Sequence, residues 1–318
     1  MNNTHSRSRR SFVKTVLGGA AAASATSVIG AGAAFAIPAD MRTRPLGKTG
    51  HDVRLFSLGG QATLEQDGKT DEALNIINTA LDLGVNYIDT AAAYGSGISE
   101  RYFGMVMASR RKEVFLASKT HDRTYDGSMR LLEKSLMQLK TDHLDAWQLH
   151  NVRTEEDLQK IFADDGAIKA LEKARDEKMV RFLGITGHRD PFVLKTAIQR
   201  YDFDTILMAL NAADRHRLSF IENLLPVAAE KQMGIIGMKV VARGRIFRDG
   251  GLQSMEQAMR YVLTLPVSTV VVGVSTVQEL EGNVRIARDF VAYADGEMQE
   301  LEALTKPYHS DADWFKDR

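Results

Sequence analysis

The sequence predicts one α/β domain folded as a closed (β/α)8 barrel, a TIM barrel, with a β-hairpin in front of it. Eight short apolar runs, each followed by a longer polar or helically periodic stretch, repeat over about 280 residues without a break in composition. The runs are nearly continuously apolar instead of alternating, which is the pattern of parallel strands buried on both faces. Residues able to do chemistry stand where several of the runs end, the end at which such a barrel builds its site. A doubly wound sheet would need a glycine-rich fingerprint after its first strand, and Leu58-Gly59-Gly60-Gln61 is a poor one.

Composition narrows the function classes. With 44% hydrophobic and 26% charged residues the chain is neither disordered nor a membrane bundle. Its formal charge is zero, but Arg7, Arg9, Arg10 and Lys14 stand in an N-terminal stretch without acids, so the remainder is slightly acidic. That balance gives no reason to expect nucleic acid or an anionic membrane as partner. The absence of cysteine excludes disulfides, thiolate metal sites and iron–sulfur clusters, and it suits an oxidising compartment.

Residues 1–36 are expected to be a targeting segment outside the fold. Ser8-Arg9-Arg10-Ser11-Phe12-Val13-Lys14 resembles a twin-arginine export motif, and Ala34-Phe35-Ala36 ends the following Ala/Gly-rich run as a small-x-small cleavage site. The run is poor in Leu and Ile, which argues against a stable membrane anchor after cleavage. The resemblance implies the twin-arginine export machinery as partner and a periplasmic or exported location. Residues 37–44 are expected to be a linker and residues 45–318 the barrel domain.

Leu46 to Val53 has hairpin chemistry, with Lys48-Thr49-Gly50 as its turn. Strands are expected at Arg54 to Gly60, Val85 to Thr90, Val114 to Lys119, Asp145 to His150, Arg181 to Thr186, Thr205 to Asn211, Ile235 to Val240 and Thr269 to Val274. Asp71 to Leu83 is a helix with Leu74, Ile77 and Leu81 on one face, Thr70 as N-cap and Gly84 as its stop. Gly127 to Leu139 and Ile168 to Glu177 are helices on the same grounds, the former turning Leu131, Leu132, Leu136 and Leu139 inward.

Asp89, Lys119 and His150 each close a separate strand, and Tyr94 follows Asp89 on a loop of small residues. A carboxylate followed by a phenol at the end of a buried strand is a proton-transfer arrangement, and neighbouring strand ends supply an ammonium and an imidazole as partners. A phenol with a pKa of about 10 donates poorly at neutral pH unless a nearby ammonium favours the phenolate. Each residue also has an ordinary local reading: Asp89 as a turn cap, Tyr94 as a packed aromatic, Lys119 as a solvated strand end, His150 as a core histidine. Order and strand-end placement together favour chemistry.

At these residues the chain resembles the aldo-keto reductase family, whose reactive Asp, Tyr, Lys and His lie at the ends of successive barrel strands. The resemblance covers Arg42 to Asn283, and its first motif is Asp89-Thr90-Ala91-x-x-Tyr94-Gly95 with Glu100 and Gly104 beyond. It implies Tyr94 as general acid, Lys119 as the group lowering its pKa, Asp89 as the partner of Lys119, and His150 as the group orienting the carbonyl. The hairpin is similar to the one that closes the bottom of the barrel in this family.

The same resemblance implies a nicotinamide cofactor, NADP with NAD as the second choice, and a small carbonyl or sugar substrate. No metal is implied, and the histidines show no ligand spacing. Without a dinucleotide fingerprint, the phosphates are expected after strands seven and eight and at a helix N-terminus. Met238, Lys239, Arg243, Gly244 and Arg245 follow strand seven, and Gly273, Ser275, Thr276, Glu279 and Asn283 follow strand eight. Gly60, Asp89 and Thr186 complete the expected cofactor set. Arg243, Arg245 and Arg248 also read as a solvated loop.

Four positions depart from the family pattern. Thr186-Gly187 stands for the usual Ser-Asn, Leu207 for a Gln, Met238 for the aromatic stacked on the nicotinamide, and Glu279 for an Arg or Gln near the adenosine 2′-phosphate. Glu279 has a local role as well, since Thr276-Val277-Gln278-Glu279 is a capping box. Two further readings stay open: a non-catalytic nucleotide or ligand sensor on this scaffold, and a sugar oxidoreductase with a tightly held cofactor.

Overall fold

The computed structural model describes residues 40–317. The segment read as an export signal, residues 1–36, lies outside the described residues. Among those described, no helix is long and apolar enough to cross a membrane.

A two-stranded antiparallel hairpin comes first, β1 (Thr43–Pro45) with β2 (Asp52–Arg54), and Arg44 pairs with Val53. Its first strand begins inside the stretch read as a linker. Its second ends at Arg54, a residue expected to open the first barrel strand; that strand starts at Phe56 instead, after a bend at Leu55.

The barrel strands are β3 (Phe56–Gly59), β4 (Tyr87–Asp89), β5 (Phe115–Thr120), β6 (Leu144–Leu149), β7 (Val180–Gly187), β8 (Thr205–Ala209), β9 (Gly234–Met238) and β10 (Thr269–Val272). All neighbours are parallel, and β10 pairs back onto β3 to close the ring. The alternation of side chains across each strand makes two cores. Tyr87, Phe115, Ala117, Ala146, Leu207 and Ile236 fill the bore, where Leu46 and Val53 of the hairpin join them. Ile88, Leu116, Trp147 and Ile185 point outward under the helices. Both faces are therefore apolar, which is why the strands read as unbroken runs.

The outer layer is α1 (Thr70–Asp82), α2 (Ile98–Arg110), α3 (Tyr125–Leu139), α4 (Glu155–Ile161), α5 (Ala167–Asp176), α6 (Pro191–Arg200), α7 (Phe220–Asn223), α8 (Leu225–Glu230), α9 (Met255–Thr264) and α10 (Val277–Arg288). Two more, α11 (Asp295–Thr305) and α12 (His309–Ala312), lead to the C-terminus. Gly84, at φ +84°, stops α1 as expected, but Lys69 is the N-cap and Thr70 already lies inside the helix. In α3 the inward side chains are Leu132 and Leu139, with Leu131 and Leu136 half-buried, and the Thr124 hydroxyl caps its start by accepting from the Gly127 amide.

Candidate active site

Asp89 ends β4, and Lys119 stands one residue before the end of β5. The Lys119 ammonium donates to Asp89 Oδ2 at 2.5 Å and to the Thr90 carbonyl at 2.7 Å. Both side chains are buried, Lys119 completely. Charges taken out of water are stable only when paired and hydrogen-bonded, and here each is. The ammonium lies 4.7 Å from the centre of the Tyr94 ring. His150, just past β6, meets that ring edge-on with centroids 5.6 Å apart. Its backbone is set by a hydrogen bond from the His150 amide to the Thr120 carbonyl, 2.8 Å. The four residues expected to react together do converge.

The small-residue loop has a steric reason. Gly95, Ser96 and Gly97 all take left-handed backbone angles between Tyr94 and α2, with φ of +55°, +54° and +95°. A Cβ on Gly95 would fall 2.2 Å from the Glu65 carbonyl oxygen. The turn thus brings Tyr94 back over Lys119 only where side chains are missing or short.

Electrostatics depart from expectation at one point. Burial raises the Tyr94 phenol above its ordinary value, and the Lys119 charge and hydrogen bonding only partly oppose this. The net shift is upward, where a lowering by Lys119 was expected, because burial outweighs the pull of the ammonium. Burial also works against the Lys119 charge, but Asp89 and Tyr94 outweigh it and the pKa rises. His150 is pushed well below the usual imidazole range by burial and by Lys119, so it is neutral at pH 7.

Tyr94 and Asp89 open onto a cleft of about 520 Å³ that crosses the barrel mouth towards β9 and β10. Of the expected cofactor residues, Gly60, Met238, Lys239, Arg243, Gly244, Gly273, Ser275 and Glu279 line it. Thr186, Thr276, Asn283 and Arg245 are not in its wall. The Thr186 hydroxyl accepts from the Asn151 amide at 2.9 Å, and Thr276 caps α10 by accepting from the Glu279 amide. Asn283 is buried on α10, and Arg245 lies over the Trp314 ring, 4.8 Å from its centre. Among the described residues Lys239 Nζ has neither a hydrogen bond nor an ion pair. Burial and nearby Arg243 lower its pKa to about 8. An amine so placed fits an anion such as a dinucleotide phosphate. Glu279 fits less well: its carboxylate accepts from the Ser275 amide at 2.6 Å. The second arm of the expected capping box therefore lands on Ser275 instead of Thr276, and it occupies a donor that a phosphate would use.

The sequence profile of the Aldo/keto reductase family matches residues 56–250. The chain belongs to that family. It is 28% identical over 312 residues to the uncharacterized oxidoreductase YqkF of Bacillus subtilis, covering 84% of this chain and 97% of that one. It is 26% identical over 305 residues to the L-galactose dehydrogenase of Arabidopsis thaliana, covering 83% and 94%. The fold is that of an aldo-keto reductase from Klebsiella pneumoniae solved in complex with NADPH, with a TM-score of 0.69 at 21% identity over 84% of this chain and 95% of that one.

In this member of the family the loop after β3 contributes more than the sequence indicated. Gln61, Ala62 and Glu65 line the cleft, and the Thr63 hydroxyl donates to the Ser275 carbonyl at 2.9 Å, tying that loop to the one after β10. The only signal was a polar stretch following the first strand. The C-terminal residues pack on the barrel mouth. Lys316 is buried and donates to Asp214 Oδ1 at 2.8 Å, and Arg217 makes two 3.0 Å hydrogen bonds to the Asp313 carboxylate. Phe315 meets His188 edge-on at 5.7 Å, and Arg243 as well as Arg245 faces Trp314.

Proposed function

We propose that the protein interconverts aldehydes or ketones and alcohols with a nicotinamide dinucleotide, Tyr94 being the proton donor to the carbonyl oxygen. The observation that carries this reading is the buried Asp89–Lys119 pair beneath Tyr94, with His150 against the same ring, at the head of a long cleft. The reduced nicotinamide supplies a hydride to the carbonyl carbon when bound. Tyr94 then holds the matching proton, and its raised pKa keeps it protonated until an alkoxide develops beside it. Lys119 stabilises the phenolate left behind, and Asp89 keeps Lys119 charged and in place. Neutral His150 offers a hydrogen bond to the carbonyl without competing as an acid.

NADP(H) is the cofactor we assign, in line with the NADPH bound by the Klebsiella protein and with cations Lys239 and Arg243 in the cleft wall. NAD(H) is the second reading, favoured by one observation: the Glu279 carboxylate lines the same cleft. The substrate class extends to sugars, as the name of the Arabidopsis relative suggests. We further read the protein as exported by the twin-arginine route with its dinucleotide already bound. Recovery from the periplasm with Ile37 as first residue and nucleotide in the purified protein is the expected result.

The deciding assay follows NADPH and NADH oxidation by residues 37–318 with aldehydes, ketones and sugars, with Tyr94→Phe as control. Turnover lost in that variant while nucleotide binding survives supports the reading. Binding without turnover across the panel replaces it with a sensor.

A further inference from the structure

Below the Asp89–Lys119 pair the bore is walled mainly by apolar side chains, among them Phe115, Ala146 and Ile236. One amide crosses that wall. Gln148 of β6 is fully buried, and its Nε2 donates to Asp89 Oδ1 at 3.1 Å, while Lys119 takes Oδ2. The reach is made possible by the next strand. Gln148 pairs in register with Gly184 on β7, and a Cβ there would lie 2.8 Å from Gln148 Cγ and 2.4 Å from Thr205 Oγ1. Any side chain at 184 would push Gln148 aside.

Burying an amide costs free energy unless its hydrogen bonds are made, and Gln148 Oε1 meets no donor from the protein. A methionine would fill the same volume without that cost, so packing alone gives no account of the amide. A carboxylate held through one oxygen still turns about its last torsion, which is broad and roughly two-fold. Donors on both oxygens remove that freedom.

We propose that Gln148, seated across Gly184, is a positioning residue that fixes the rotation of the Asp89 carboxylate and through it the place of Lys119 beneath Tyr94. The proposal rests on the reductase reading above, in which Tyr94 gives the proton. It makes Gln148 act without touching substrate or nucleotide.

Two variants test it. Gln148→Met keeps the volume and removes the donor. Gln148→Glu keeps the shape and makes the donor depend on pH, because a protonated carboxyl donates to Asp89 and an ionised one repels it. Crystal structures of the wild type and of Gln148→Met report the carboxylate directly, and steady-state kinetics with NADPH and an aldehyde report its effect.

In Gln148→Met the Asp89 carboxylate should leave its wild-type plane, and kcat should fall about tenfold, the size of one hydrogen bond to a charged group. KM for the aldehyde and Kd for the nucleotide should stay unchanged. Gln148→Glu should approach wild-type kcat in acid and lose it as pH rises towards neutrality, where the wild type stays level. An Asp89 carboxylate that keeps its orientation in Gln148→Met, or a Gln148→Glu profile parallel to the wild type, overturns the proposal. A wild type that binds NADPH and turns over no carbonyl overturns the reductase reading instead, and the crystallographic comparison still decides whether Gln148 positions Asp89.

Discussion

The two sides of the barrel mouth are held by opposite means. At the ends of β4, β5 and β6, Lys119 is tied to Asp89 and to the Thr90 carbonyl, Gln148 holds the second Asp89 oxygen, and almost nothing reaches solvent. At the ends of β9 and β10, Lys239 has no acceptor among the described residues. Lys239, Ala242, Arg243 and Gly244 all have left-handed backbone angles there. The amide of Ser275 is claimed by Glu279 from α10. One side is a closed set of charges whose geometry is settled by the protein itself. The other leaves the Lys239 ammonium without a hydrogen-bonding partner among the described residues, the state of a surface that gains from an anionic ligand.

Breaking the closed side should have the largest effect. Tyr94→Phe is expected to lower kcat about 10³-fold, within the usual range for a lost proton transfer, with nucleotide Kd unchanged in a fluorescence titration. The upward shift of Tyr94 also sets the pH dependence. Reduction needs the phenol, so kcat/KM should stay level through neutral pH and fall only above the ordinary tyrosine range. Alcohol oxidation needs the phenolate and should rise over that same interval. A reduction rate that falls near pH 7 would place the proton on another group.

The next effect should be on stability. Lys316→Met leaves the Asp214 carboxylate buried without its partner, at a cost of about 3 kcal/mol in chemical denaturation. If the tail braces only the open side, nucleotide Kd should worsen while kcat at saturation holds.

Much of the closed side was legible because its constraints are local. Asp89 and Tyr94 share one tight loop, and the collision awaiting any side chain at Gly95 forces the small residues that made the motif visible. Lys119 and His150 could be placed because strand ends are easy to locate in apolar runs. The direction of the Tyr94 shift was not legible, since it depends on how burial and the Lys119 charge balance in the folded site. Nor was the role of Gln148, which in a sequence is one more residue of a buried strand. On the open side Lys239, Arg243, Gly273 and Ser275 could be placed from the ends of β9 and β10, but what reaches the cleft from elsewhere escaped. Glu65 meets the cleft from the loop after β3, and Trp314 reaches Arg243 and Arg245 from the end of the chain. No local pattern predicts contacts between segments so far apart.

Smaller effects would sharpen the contrast. Lys239→Met should weaken NADPH binding about tenfold, the loss expected of one charge-assisted contact, and should flatten its salt dependence. Glu279→Arg should improve NADPH over NADH by about fivefold, as expected when a charge of the wrong sign is reversed. Equal changes for both nucleotides would assign Glu279 to the end of α10 alone.

The fastening of the tail couples segments that are remote along the chain. Lys316 and Asp313 hold Asp214 and Arg217, about a hundred positions earlier, so loosening the turn around residue 316 would release the loop after β8 with it.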